Sequence, residues 1–159
     1  MILVTGAAGK TGLAVIRAAA EKGAVVRGFI HHESYRESVL DAGAVEVILG
    51  DLLNEDDLKQ AFQGVRVVYH IPPNMHPREV ELGEITINSA QHEGVEHFVY
   101  HSVLHPQIEA MPHHWLKLRV EERLIGSGLN FTILQPTAYM QNITSQLKNI
   151  QKSGIFQVP

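Results

Sequence analysis

Thr5-Gly6-Ala7-Ala8-Gly9-Lys10-Thr11-Gly12 sets three glycines at a G-x-x-G-x-x-G spacing directly after the short apolar run Met1-Ile2-Leu3-Val4. Any tight strand-to-helix turn can use such glycines, and their place after the first strand of an α/β pattern is what points to a nucleotide. Gly6 lets the chain reverse sharply, Gly9 lets the backbone approach a ligand with no Cβ in the way, and Gly12 lets the helix pack close to the sheet. The helix that starts here aims unpaired N–H groups and a partial positive charge at the space before it, which suits a diphosphate. Gly6, Ala8, Gly9, Lys10, Thr11 and Gly12 are therefore read as a nucleotide cradle. Gly9-Lys10-Thr11 also ends like the phosphate loop of a nucleoside triphosphatase, but that motif needs glycine at position 4, which is Val4.

Beyond the turn, β-rich apolar runs alternate with helix-like stretches. Strands are predicted over residues 1–5, 24–30, 45–49, 65–70, 96–102 and 130–134. This pattern is α/β: a doubly wound, Rossmann-like parallel sheet of about six strands, forming one domain. The first helix repeats apolar residues at Leu13, Ile16 and Ala20 and stops by Gly23. In the third, Asn54 is the N-cap, Glu55, Asp56 and Asp57 charge the first turn, Leu53 and Leu58 suit a staple, and Gly64 suits the C-terminal cap. Residues 76–94 have a weaker helical period, and Gly83 argues against an unbroken helix there. Trp115, Leu116, Val120 and Leu124 are expected on the buried side of the fifth helix.

The charge balance narrows the partners. With 13 basic and 17 acidic side chains the net charge is −4, so the chain lacks the positive field that draws proteins to phosphate backbones or anionic lipid. No nucleic acid and no membrane are expected. Residues 124–147 carry no formal charge, but Gly126, Gly128 and Pro136 interrupt them and they fail as a span. The absence of Cys removes thiolate metal sites and fits the cytoplasm, and with a strand-like run starting at Met1 no leader is expected. His97, His101 and His105 recur every four positions, but on a strand that spacing spreads side chains by about 13 Å, so no metal is expected.

Gly6-x-x-Gly9-x-x-Gly12, Gly50-Asp51-Leu52, Pro72-Pro73, and above all the stretch from His113-His114-Trp115-Leu116-Lys117 through Phe131-Thr132-Ile133-Leu134-Gln135-Pro136, resemble the NmrA-like branch of the atypical short-chain dehydrogenases/reductases. That resemblance implies an NAD(P)-binding protein: a reductase of quinones or related carbonyl and olefinic compounds, or a cofactor-sensing regulator without turnover. It also implies a further substrate lobe after the sixth strand, of which these 159 residues would hold little. An exposed apolar surface over residues 155–159 would then be expected. A small-molecule acceptor such as a quinone is the expected partner, with a regulatory protein or a second copy as alternatives.

By the same resemblance, Asp51 accepts from the adenine amino group and Leu52 lines the adenine pocket; a plain turn before Asn54 is the other reading of Asp51. His31 stands where relatives often carry Arg for a 2′-phosphate, with Arg36 near to help and Glu33 near to favour NAD instead. NADP is preferred over NAD. Ile71 and Pro72 suit the wall beside the nicotinamide ribose, and Pro136 joins the cofactor set. Ser102, His113 and Lys117 are the candidate catalytic residues, His113 standing where the wider superfamily has Tyr. Lys117 would bond the ribose hydroxyls; on local spacing alone it would pair with Glu121, four residues on. A lysine so close depresses the His113 pKa, leaving an imidazole poorly supplied to donate a proton. That favours quinone or activated-olefin reduction over a copy of Tyr-based ketone reduction.

Overall fold

The computed structural model describes residues 1–156. Its single sheet comprises β1 (Ile2–Val4), β2 (Val26–Ile30), β3 (Glu46–Leu49), β4 (Val67–His70), β5 (His97–His101) and β6 (Phe131–Leu134). The strands lie in the order β3-β2-β1-β4-β5-β6, each parallel to its neighbours. Every strand falls inside its expected range, trimmed by at most two residues at an end. The order reverses between β1 and β4, which opens a crevice at the carboxyl ends of the strands.

Helices cover both faces. α1 (Lys10–Glu21) and α2 (Arg36–Asp41) enclose Val4, Ile16, Ile30, Val39 and Val47. α3 (Glu55–Phe62), α4 (Glu79–His92) and α5 (Pro112–Ile125) enclose Leu3, Phe62, Val68, Phe98, Tyr100 and Leu124. Consecutive Leu3 and Val4 point to opposite cores, as the two-residue period of a strand requires. Each such fully buried side chain is worth about 1.5–3 kcal/mol.

The capping of α3 matches its residues: the Asn54 side chain accepts from the N–H of Asp56 at 3.0 Å and of Asp57 at 3.3 Å, and Gly64 follows the helix at φ +71°. α4 lies within residues 76–94 and runs unbroken through Gly83, where the local signal for a continuous helix is weakest. A Cβ there would lie 2.6 Å from Val120 Cγ1, so Gly83 is where α4 and α5 touch, and that contact outweighs a helix-propensity cost of about 1 kcal/mol. On α5, Val120 and Leu124 are buried as expected. Trp115 is not; it is half-buried, with the Arg119 guanidinium 4.6 Å over its ring.

After β6, α6 (Met140–Ser145) and α7 (Leu147–Ser153) bury no residue, and Met140, Ile143 and Leu147 are exposed. Ile155 and Phe156 are exposed too, while residues 157–159 lie outside the described part. Among the described residues no helix is long and apolar enough to cross a membrane.

Candidate functional site

The glycine turn forms the base of the crevice. Gly6 sits at φ +60°, the Gly9 N–H donates to the Gly6 carbonyl at 3.1 Å, and the Leu13 N–H donates to the Gly9 carbonyl at 2.9 Å as α1 begins. Gly9 caps α1 with no side-chain hydrogen bond, so the first N–H groups of the helix face outward uncapped. Atoms fill the space where side chains would go: a Cβ on Gly6 would meet the Ile71 carbonyl oxygen at 2.7 Å, and one on Gly12 would overlap the Gly6 carbonyl oxygen. A diphosphate fits this cradle by charge and by the absence of bulk.

Two adjoining cavities follow the strand ends. One of about 910 Å³ is lined by Gly6, Ala8, Gly9, Lys10, Gly12, His31, Asp51 and Leu52. The other, about 630 Å³, is lined by His101, Ser102, His113, Lys117, Pro136 and Tyr139. Thr11, Ile71, Pro72 and Asn74 line both, so the trough continues from Asp51 to Lys117. Every site residue expected from the sequence borders this trough. Their side chains are less uniform.

At the first end, the Asp51 carboxylate accepts from the Leu53 N–H at 2.9 Å, which makes it a turn residue, and Asp51 also lines the cavity wall. Leu52 is part of the core as well as the wall. His31 is exposed, its ring 5.5 Å from that of Tyr35. Arg36 and Glu33, expected to compete over the cofactor's ribose, instead bind each other through Arg36 Nε and Nη2, while Arg36 Nη1 donates to the Val47 carbonyl at 2.8 Å.

At the other end, Lys117 is not paired with Glu121. Its Nζ donates to Glu79 Oε1 at 2.6 Å. The reason lies in packing: α4 crosses α5 at Gly83, which brings the first turn of α4 over the lysine, whereas Glu121 accepts from the Ser102 hydroxyl and, at 3.0 Å, from Gln135 Nε2. The Ser102 hydroxyl proton is thus engaged behind the cavity wall. His113 has its pKa depressed, first by burial and then by the neighbouring His114 and Lys117, in the direction expected.

The sequence reading missed Tyr139. Its hydroxyl accepts from Thr11 Oγ1 at 3.2 Å and lies 2.7 Å from His101 Nε2, while His101 Nδ1 lies 3.2 Å from the Tyr69 hydroxyl. It therefore ties the start of α1 to the end of β5 across the trough. Nothing local signals this, because Thr11 and Tyr139 stand 128 residues apart.

Beneath the trough, the buried Thr5 hydroxyl accepts from the Ile71 N–H at 3.0 Å and shares a 2.9 Å hydrogen bond with His70 Nδ1, fastening the ends of β1 and β4. Burial first, and the Lys117 charge second, push the His70 pKa down to about 3. The folded chain refuses a proton that the unfolded chain takes up below its ordinary value of 6.5. The His70 contribution to stability is therefore complete above pH 6.5 and is lost by about 1.4 kcal/mol per unit as the pH falls toward 3. Urea unfolding across that window should show a shallower slope for His70→Asn; an unchanged slope would remove His70 as the source.

A parallel sheet in this order, with a glycine cradle where the order reverses, defines a nucleotide-binding domain of the Rossmann class. The chain belongs to the NmrA-like family, whose sequence model matches residues 1–159. It is 29% identical, over 100% of its length and 55% of the relative's, to an NAD(P)H azoreductase of Xenophilus azovorans. It is 28% identical, over 91% of its length and 47% of the relative's, to a photosystem II assembly factor of Cyanophora paradoxa. A crystal structure of an NADPH-dependent quinone oxidoreductase of Escherichia coli complexed with NADPH superimposes with a TM-score of 0.83, covering 98% of this chain and 56% of that one at 23% identity. The chain thus spans about half the length of the curated relatives it matches.

Proposed function

We propose that the chain is the cofactor-binding part of an NAD(P)H-dependent oxidoreductase whose acceptor is a quinone or a related conjugated carbonyl or olefinic compound. One observation carries this reading: the uncapped N-terminus of α1 opens into a trough that continues to the Lys117 ammonium. The N–H groups of α1 would hold the diphosphate, Asp51 and Leu52 the adenine end, and Lys117 the nicotinamide ribose. The bound dinucleotide supplies a hydride. The name of the azoreductase relative supports NAD(P)H oxidation.

The residues at the Lys117 end favour acceptors that need no strong protein acid. Ser102 has its proton engaged with Glu121, and His113, its pKa lowered by burial and by its neighbours, is mostly neutral at neutral pH and a poor acid. The Tyr139 hydroxyl lies between His101 and Thr11, and Tyr139 lines the same cavity. NADP is the preferred form. His31 borders the cavity near the ribose end, and pairing with Arg36 neutralises the Glu33 carboxylate that would repel a 2′-phosphate. A cytoplasmic setting goes with this reading.

Titration with NADPH and NADH, followed by nicotinamide fluorescence, should give tighter binding of NADPH; the reverse order would reject the NADP preference. Mixing the NADPH-loaded chain with a panel of quinones should then oxidise the nucleotide. Binding without acceptor-dependent oxidation would eliminate turnover by these 159 residues and favour a cofactor-sensing role for them.

A further inference from the structure

We propose that Glu79 is the positioning residue of Lys117, holding its ammonium charged and fixed on the wall of the trough so that a dinucleotide ribose meets a preset donor. The proposal rests on the reading that Lys117 serves the cofactor. Glu79 opens α4 and has no solvent exposure, an unusual place for a carboxylate. Oε1 accepts both from Lys117 Nζ at 2.6 Å and from the Tyr100 hydroxyl at 3.1 Å. Oε2 is buried without a hydrogen-bond partner among the described residues. Lys117 itself is 12% exposed, and its alkyl stem brings Nζ to 5.9 Å from the centre of the Tyr100 ring. An ammonium has three donors. The bond to Glu79 engages one and points the group along a single direction, in a side chain that would otherwise lose rotamer freedom on each binding event.

The charges around the lysine make the carboxylate necessary. His70 faces it from β4, Tyr100 and His101 from β5, His113 from α5 and Glu79 from α4. The three imidazoles have depressed pKa values and are neutral in the physiological range, and Glu121 is turned toward Ser102 and Gln135. Glu79 is thus the anion in contact with Nζ. The isosteric substitution Glu79→Gln would keep a hydrogen-bond acceptor and remove the charge, favouring the neutral amine in a poorly hydrated site.

The test uses the full chain without cofactor first. Competitive acetylation by acetic anhydride, read by mass spectrometry, reports how much of each lysine is neutral, with exposed Lys59 and Lys148 as references in the same molecule. At pH 7, Glu79→Gln should raise Lys117 labelling by roughly two to three orders of magnitude relative to the references, and Glu79→Asp, which keeps the charge, should raise it less. The second arm is NADPH affinity. Glu79→Gln should weaken it about tenfold at pH 8.5 and little at pH 6, where the ammonium is restored; Lys117→Met should weaken it at both, and adding Glu79→Gln to Lys117→Met should weaken it no further. Equal labelling of Lys117 in wild type and Glu79→Gln, or an affinity loss independent of pH, would overturn the proposal. If Glu79→Gln does not fold, the wild-type labelling profile decides: Lys117 labelled at pH 7 like Lys59 overturns it, and Lys117 protected supports it. A wild-type chain that protects Lys117 yet binds no NADPH would overturn the cofactor reading itself, and with it this role of Glu79.

Discussion

Gly12→Ala is expected to destabilise the chain by about 2–3 kcal/mol and to abolish measurable dinucleotide binding. The added methyl would overlap the Gly6 carbonyl oxygen and lie 2.8 Å from Ala7 C and Cα, all of them backbone atoms that no rotamer change can move aside. Relief requires α1 to move away from the turn, which also moves the N–H groups that face the trough. Gly9→Ala separates the two effects. Gly9 has an ordinary extended backbone at φ −73°, and the contact its Cβ would make is the Gly6 carbonyl oxygen at 3.3 Å. It should cost under about 1 kcal/mol in urea unfolding while still weakening NADPH binding, because the new methyl stands where a diphosphate approaches. Equal stability of Gly12→Ala and wild type would show that the turn tolerates a side chain and is not the tight cradle described above.

The second large effect belongs to Lys117→Met. This change leaves the Glu79 carboxylate, wholly buried, with only the Tyr100 hydroxyl as its partner, and removing one side of a buried ion pair costs about 3–5 kcal/mol. For a chain of this size that lowers the melting temperature by roughly 10 °C. Adding Glu79→Gln should recover a large part of the loss, since the stranded charge then disappears. A Lys117→Met chain as stable as wild type would mean that the lysine and glutamate do not meet inside the protein.

Much of the architecture could be read from local signals. The six strands, the capped α3 and the glycine turn depend on interactions within a few residues: β-branched runs, an Asn at an N-cap, glycine where the backbone turns left-handed. What local spacing left open or placed wrongly has a different origin. Gly83 looks like a helix breaker until Val120 is seen to occupy the space of its missing side chain. Trp115 has helical spacing suited to the core, yet Arg119 covers it at the surface. The i, i+4 rule pairs Lys117 with Glu121 because it considers one helix, whereas the partner arrives from another.

The amino-acid sequence on its own determined the class of fold, the strand order's necessary ingredients and the glycine turn at the end of β1, because each is encoded by neighbours along the chain. Only the tertiary structure decided which side chains confront one another in the trough. Glu79 lies 38 residues from Lys117, His101 lies 38 from Tyr139, and Thr11 lies 128 from Tyr139. Parallel strands require long crossovers, so residues at the same end of the sheet are distant in sequence, and their hydrogen bonds and charges come into being only when the sheet is assembled.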